Sequence, residues 1–190
     1  MSYHEGSRSL QDAFDTRRLA DRLQERKVHA ELTEEDRAFI EARDCFFLAT
    51  ADEHGAPTCS YKGGDPGFVR VLGPDALAFP NYDGNGMYLS MGNVLRNPEV
   101  GLLFIDFERG RRLRVQGTAS IERDGPLVES WPRAQFAVVV RPHAVFPNCP
   151  RYIHRRVLVE RSEYVPRGSA EPPVPAWKRS EWARDVLPLR

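Results

Sequence analysis

Apolar residues in the N-terminal part of the chain recur at roughly helical spacing within a strongly charged sequence. Leu10, Phe14, Leu19 and Leu23 follow this pattern in residues 9–29, which predicts a helix with one buried stripe. Thr33, with Asp36 three residues later, then predicts the capped start of a second helix. Because most other positions in both segments are charged, we expect only one face of each helix to be buried.

After Asp44 the pattern changes to short apolar or alternating segments separated by turn signals, which are typical of strands. The predicted strands are CFFLATA (45–51), TCSYKGG (58–64), GFVRVL (67–72), ALAFP (76–80), VGLLFIDF (100–107), RRLRVQGTASIER (111–123), QFAVVVRPHAVF (135–146) and RRVLVERSEYV (155–165). Between them, MYLSMGNVLRNP (87–98) predicts a helix that Pro98 stops. Many strands at hairpin spacing with few helices predict a mainly β (α+β) fold, an antiparallel barrel with peripheral helices.

The chain of 190 residues is expected to form one main domain with an extension at each end. We assign residues 1–34 to an N-terminal helical extension and 35–165 to the barrel domain. The Pro-rich stretch PRGSAEPPVPA opens a linker and C-terminal tail over residues 166–190.

Charge and cysteine content narrow the function classes. Lys plus Arg and Asp plus Glu are equal at 27 each, so the net charge gives no reason to expect nucleic acid or an anionic membrane as a partner. No apolar run approaches the roughly 18 residues of a membrane span, and the N-terminus is too charged for a signal peptide. The odd, widely spaced cysteines, Cys45, Cys59 and Cys149, indicate reduced thiols in a cytoplasm, with Cys45 and Cys59 expected in the core. No metal-ligand spacing is present.

The stretch NYDGNGMYLSMGN (81–93) is the strongest candidate site, because it joins a predicted strand to a predicted helix with glycines and small amides. The N-terminus of a helix offers free N–H groups and a partial positive charge, which favour a phosphate. Lys62 and Arg70 are the cations that would balance a dianion. The alternative is an ordinary turn, since Asp-Gly and Asn-Gly pairs are common in turns.

The ordered set of motifs resembles the pyridoxamine 5′-phosphate oxidase-like family, the FMN-binding split β-barrels. The resemblance covers about residues 35–160. It is carried by FFLATADEHGAPTCSYKGG (46–64), FVRVLGPDALAFPNYDGN (68–85), SMGNVLRNPEVGLLFIDF (90–107), RRLRVQGTASI (111–121) and FPNCPRYIHRR (146–156).

This resemblance implies a homodimer with FMN at the subunit interface, and it assigns a role to each candidate residue. The flavin and ribityl chain would be lined by Phe68, Val69, Arg70 and Val71, and the phosphate would be surrounded by Asn81, Tyr82, Asn85, Ser90 and Asn93. Gln116 would reach the ring edge or the ribityl hydroxyls. Trp177, with Lys178, would close the site from the partner subunit. The register of the third strand stays open, since a one-residue slip would turn Arg70 away from the phosphate.

The chain departs from the family's oxidases at two points. It lacks their Arg-Lys pair in the phosphate loop, and its tail, EWARDVLPLR, is not the basic substrate-binding tail. We therefore expect a flavin-dependent oxidoreductase acting on a small molecule, with a nicotinamide as one candidate donor, rather than a pyridoxamine-phosphate oxidase. The alternatives are a flavin or haem carrier, store or sensor without turnover, and an interaction module with an empty cleft. A haem would need His143 or His154 as its axial ligand.

Overall fold

Seven strands form one antiparallel sheet in the order β2-β1-β5-β6-β7-β4-β3, as seen in a computed structural model that describes residues 3–188. The strands are β1 Cys45–Ala51, β2 Pro57–Gly63, β3 Arg70–Gly73, β4 Ala76–Asn81, β5 Glu99–Asp106, β6 Arg111–Glu122 and β7 Phe136–Pro147. Strands β2 and β3 are the two edges. Seven of the eight predicted strands are therefore present, although β3 is shorter than the pattern suggested.

The sheet curls around one apolar core. Phe46 of β1 meets Phe79 of β4 edge to face, with ring centroids 4.9 Å apart, although three strands separate them in the sheet order. Phe46 also packs on Phe104 of the neighbouring strand β5 at 5.1 Å. Contact between such distant strands requires strong curvature, because neighbouring strands are about 4.8 Å apart in a sheet. The prediction of an antiparallel split barrel with peripheral helices is confirmed.

A bulge in β7, at His143, contributes to this curvature. The register between β6 and β7 shifts between Gln116 and Gly117. A Cβ atom at Gly117 would lie only 2.3 Å from the carbonyl oxygen of Arg141, so the two strands can approach closely here only because residue 117 is glycine.

The helices lie outside the barrel: α1 Glu5–Ala13, α2 Arg17–Lys27, α3 Glu34–Glu41, α4 Leu89–Arg96, α5 Pro126–Glu129 and α6 Glu181–Arg184. Helix α3 has the predicted capping box, in which Thr33 and Asp36 exchange side-chain and backbone hydrogen bonds. Helix α4 ends at Arg96, before Pro98 as predicted. None of the helices described for residues 3–188 has the length and apolar character needed to cross a bilayer.

The predicted N-terminal helix is two helices, and its apolar stripe is not buried. Asp15 adopts a left-handed conformation with φ of 50° between α1 and α2, which ends the first helix. Leu10, Phe14, Leu19 and Leu23 are between 48% and 75% exposed. The stripe prediction was wrong because helical spacing shows which residues share a face, but not whether another element covers that face.

The strand predicted at 155–165 was also wrong. This segment has no ladder partner, and the N–H of Arg156 bonding the carbonyl of Phe107 is its backbone link to β5 and β6. Val159 is 94% exposed. Its β-branched residues favour extended backbone, but no sheet edge lies beside it.

Candidate cofactor-binding site

A cleft of about 280 Å³ lies between the edge strand β2 and the segment that joins β4 to α4. Five predicted site residues line it together: Lys62, Asn81, Tyr82, Asn85 and Ser90. The other lining residues are Thr58, Cys59, Ser60, Gly84, Gly86, Met87, Tyr88, Leu89 and Met91. The strand-to-helix junction therefore forms one wall of the cleft, and alternate positions of β2 form most of the other.

The junction has the backbone of an anion-binding loop. Gly86 has φ of 78° and Tyr88, the residue that caps α4, has φ of 49°. No side chain caps the helix. The N–H groups of its first turn, in Leu89, Ser90 and Met91, therefore have no capping acceptor and lie among residues that line the cleft.

Asn85 organises this loop. Its side-chain oxygen accepts a hydrogen bond from the backbone N–H of Met87 at 3.0 Å, which is an Asx turn. Its amide group is left as a donor at the wall of the cleft. The loop composition that suggested an ordinary turn is thus compatible with binding, because the turn presents its donors toward a cavity.

Lys62 is the cation of the cleft. Burial lowers the pKa of its ammonium group, and no hydrogen bond or ion pair joins it to any other residue within 3–188. A partly desolvated cation without a counter-charge is costly unless a ligand supplies the negative charge. This is the electrostatic arrangement that a phosphate would complete.

Two side-chain contacts fix the walls. The Ser60 hydroxyl on β2 lies 3.1 Å from the Ser90 hydroxyl on α4. On the other side, Gln135 Oε1 accepts hydrogen bonds from Asn81 Nδ2 at 2.9 Å and from the Tyr88 hydroxyl at 3.1 Å. Gln135 precedes β7 and is a residue that sequence analysis missed, since nothing in its local pattern links it to the loop.

Three predicted residues of the third strand have their side chains in the core. Phe68, Val69 and Val71 are at most 5% exposed and belong to the main apolar cluster. They do not line the cleft. Strand β2, with Thr58, Cys59 and Ser60, forms a wall of the cleft instead. Cys59, expected in the core, is exposed there.

The structure also settles which way Arg70 points. Its guanidinium donates to the Ser130 hydroxyl and backbone carbonyl, and it lies 4.3 Å from the centroid of the Trp131 ring. Its charge still acts toward the cleft: burial raises the pKa of the Tyr82 hydroxyl, and the positive charge of Arg70 opposes that rise. Arg70 therefore influences the cleft through Tyr82 without lining it.

The remaining predicted residues, Asn93, Gln116 and Trp177, lie outside the cleft. Asn93 donates to the Thr50 hydroxyl at 3.1 Å and so attaches α4 to β1. Trp177 is 37% exposed and stacks on Trp182 at 6.1 Å. Lys178 next to it forms an ion pair with Asp83 of the same chain, so the tail contacts its own loop.

Gln116 is connected to the cleft by a row of small residues across the sheet. Cys59 is paired with Ala49, Ala49 with Gly101, and Gly101 with Gln116. Paired residues project to the same face, and three strand-to-strand steps span about 14 Å. Ser60 and Lys62 are paired with the buried Leu48 and Phe46 and project to the inner face, whereas Cys59 projects to the outer face of the same edge strand. The row therefore forms a shallow shelf on the outer face that begins at the rim of the cleft, at Cys59, and ends at Gln116.

An apolar patch borders this shelf on the outer face of the sheet. Phe47 is paired with both Tyr61 and Leu103. The rings of Phe47 and Tyr61 meet edge to face at 6.0 Å, and Tyr61 is 62% exposed. Such a patch beside a cleft is unusual on a surface that faces only water.

A second, more open groove of about 600 Å³ lies between α2 and β7. Its charged groups already have partners: Arg8 with Asp21, and His143 with Glu99. His29 bonds the buried Asp36 at 2.8 Å. With its charges paired, this groove is a weaker candidate than the cleft beside Lys62.

Comparison with solved structures found several similar chains. A candidate pyridoxamine 5′-phosphate oxidase from Lactobacillus delbrueckii has a TM-score of 0.50 and 25% identity, over 63% of this chain and 98% of that one. An FMN-binding protein from Syntrophomonas wolfei has a TM-score of 0.47 and 13% identity, over 74% and 97% of the two chains. The haem storage protein HutZ from Vibrio cholerae has a TM-score of 0.45 and 21% identity, over 60% and 93%.

No curated protein matches the chain. The family model described as pyridoxamine 5′-phosphate oxidase matches residues 32–160, which is most of the sequence and includes every strand of the sheet. The chain belongs to the pyridoxamine 5′-phosphate oxidase family.

Proposed function

We propose that the protein is an FMN-binding flavoprotein that acts as an oxidoreductase on a small molecule and works as a homodimer. The observation that carries this proposal is the partly buried, unpaired Lys62 facing the uncapped N-terminus of α4 across one cleft. A dianionic phosphate would satisfy both features at once, because each offers positive charge and N–H donors.

The phosphate would be held by residues that the structure brings together. Lys62 would supply the charge, Ser90 and the first-turn amides of α4 would donate hydrogen bonds, and the Asn85 amide would donate from the loop. Ser60 would keep Ser90 in place through their shared hydrogen bond. The family's Arg-Lys pair is absent from the loop, and Lys62 on β2 supplies a cation from the opposite wall.

The row of small side chains supports a flat ring next to this phosphate site. Cys59, Ala49 and Gly101 leave space above the sheet, and Gln116 at the end of the row offers an amide to a polar ring edge. Asn81 and Tyr82 would line the path between the phosphate and the ring. Bulky side chains in this row would exclude a tricyclic ring, and the small side chains leave room for it.

A second copy of the chain would cover the ring. The patch of Phe47, Tyr61 and Leu103 lies beside the shelf and is left partly open in one chain. Its burial against a partner would exclude water from the ring and favour the dimer, because removing apolar area from water is favourable. Homodimerisation would thus complete the site.

When bound, FMN supplies the hydride and electron chemistry, and the protein positions it and tunes it by hydrogen bonds. No Ser, His or carboxylate arrangement for acyl transfer or hydrolysis lines the cleft within residues 3–188. The lining hydroxyl and amide groups bind and orient, which suits hydride transfer between the cofactor and a small substrate. A nicotinamide is a candidate donor.

Comparing FMN with riboflavin tests the proposal. The purified protein, stripped of small molecules by partial unfolding and refolding, is titrated with each flavin while flavin fluorescence is followed. We expect FMN to bind at least about a hundredfold more tightly than riboflavin, because charge-assisted bonds to the phosphate contribute several kcal/mol. Equal affinities, or no binding of either flavin, would contradict the phosphate site. Tight binding of haem instead would favour a haem carrier.

A further inference from the structure

The C-terminal tail forms ion pairs with carboxylates of two segments that adjoin the cleft in sequence. Arg167 binds both carboxylate oxygens of Asp65, at 2.6 and 2.9 Å, and Arg161 lies 3.7 Å from the same residue. Farther along, Lys178 binds the carboxylate of Asp83. The tail thus supplies a cation to each of two carboxylates.

Both carboxylates lie close in sequence to residues that line the cleft. Asp65 follows β2, two residues after its last residue, and Asp83 lies between the lining residues Tyr82 and Gly84. The negative charge of Asp65 contributes to the raised pKa of Tyr82, so its field reaches a residue that lines the cleft. Without the cations of the tail, these carboxylates would repel a phosphate bound beside Lys62.

The ion pair between Lys178 and Asp83 lies where the tail packs against the rest of the chain. The Lys178 side chain is only 12% exposed, and Ala183 a few residues later is 1% exposed. Trp177 and Trp182, which flank Lys178, stack nearly parallel, with 16° between their planes. The Asp83 side chain is 61% exposed, so only the lysine side of the pair is desolvated, and water screens the pair less than it would screen two fully exposed charges.

We infer that Lys178 is a positioning residue for anion binding: it neutralises Asp83 and so allows the neighbouring loop to accept a phosphate. This inference rests on the proposed function, since it concerns the FMN phosphate. It gives Lys178 a role in its own chain, whereas the family resemblance implied a role for Trp177 and Lys178 at the site of the partner subunit. The tail is then an electrostatic part of the phosphate site.

The test is a double-mutant cycle on FMN affinity. Lys178→Met removes the charge and keeps a long apolar side chain, and Asp83→Asn removes the charge that Lys178 neutralises. At low ionic strength we expect Lys178→Met to weaken FMN binding about tenfold, as one uncompensated charge close to a dianion would. Adding Asp83→Asn should bring affinity back to within about twofold of the unmodified protein. Riboflavin affinity should stay unchanged throughout.

Arg133→Met is the matched control, because Arg133 anchors the tail to Glu171 at 3.2 Å and lines no part of the cleft. It should leave FMN affinity unchanged. If Lys178→Met binds FMN normally, or if the double variant remains as weak as Lys178→Met, the inference is wrong although the protein binds FMN. If Lys178→Met weakens FMN and riboflavin equally, Lys178 acts only on tail structure, and the inference is again wrong. If the unmodified protein binds no FMN, the proposed function fails, and this inference fails with it.

Discussion

The hydroxyl oxygens of Ser60 and Ser90 lie 3.1 Å apart and join an edge strand to the first turn of a helix. This contact fixes the width of the cleft, because Ser60 is on β2 and Ser90 is on α4. Ser90 is buried, so its hydroxyl needs a partner, and Ser60 supplies one. The two walls are therefore held in place before any ligand binds, which lowers the entropic cost of binding.

Lys62→Met should have opposite effects on stability and on binding. Removing a partly desolvated, unpaired cation should raise the free energy of unfolding of the cofactor-free protein, by on the order of 1 kcal/mol. It should weaken FMN binding by about ten- to a hundredfold, since charge-assisted bonds to the phosphate are lost. Urea unfolding and flavin titration measure the two quantities. A loss of stability in the cofactor-free variant would show that Lys62 has a structural partner.

FMN affinity should fall as the solution becomes alkaline. Burial lowers the pKa of Lys62 in the free protein, and a bound phosphate should raise it again. The contribution of Lys62 is then fully present below its free-protein pKa and is lost as the pH rises through its pKa in the complex. The decline should begin below the ordinary lysine value of 10.5. Titrations from pH 7 upward should show this loss, and Lys62→Met should abolish it.

Asn85→Asp should weaken FMN binding while the loop keeps its shape. An aspartate can still accept the hydrogen bond from the Met87 N–H, so the Asx turn survives. The new negative charge replaces a donor beside the phosphate, and we expect a loss of tenfold or more. Riboflavin, which carries no phosphate, should bind the variant normally. Unchanged FMN affinity would remove Asn85 from the site.

Leu103→Glu should prevent dimerisation. Leu103 lies on the outer face between Phe47 and Arg114, and a carboxylate there would have to be desolvated in an apolar interface. Light scattering should give twice the chain mass of 21.6 kDa for the unmodified protein and the single chain mass for the variant. Leu72→Glu is the control, because Leu72 is exposed on β3 at the opposite edge of the sheet. A Leu103→Glu dimer would place the interface elsewhere.

Gly117→Ala should be strongly destabilising. The added methyl group would lie 2.3 Å from the Arg141 carbonyl oxygen, so the β6–β7 ladder would have to move. We expect a loss of about 3 kcal/mol or more in the free energy of unfolding. Gly101→Ala on β5 is the matched control, since its methyl group would approach Ala49 only to 3.8 Å. Similar stabilities of the two variants would show that β6 and β7 can separate at the bulge without cost.

The strands were predictable because apolar alternation depends on local sequence. Residues 45–51 form a short apolar run and residues 111–123 alternate, and strands β1 and β6 are found there. The phosphate-loop prediction drew on the glycines and small amides in front of a helix, and it stays a prediction. The two wrong predictions, the buried stripe that includes Leu19 and the strand that includes Val159, depended on tertiary packing. Local sequence does not show whether another element covers a helix face or whether a sheet edge lies beside an extended segment.

The role of β2 was missed for a related reason. The family resemblance assigned the apolar FVRV (68–71) to the flavin and ribityl chain, and only Lys62 of TCSYKGG was singled out. In the fold, this apolar character places Phe68 and Val69 in the core, and the polar strand is left to line the cleft. Alternation of small polar residues from Thr58 to Lys62 was the available signal.

The most direct test is the absorbance spectrum of the protein as purified, followed by release of its cofactor and measurement of the cofactor's mass. The account predicts the two-band spectrum of an oxidised flavin and the mass of FMN, with about one cofactor per chain. A Soret band with the mass of haem would contradict it. So would a protein that stays colourless after titration with FMN.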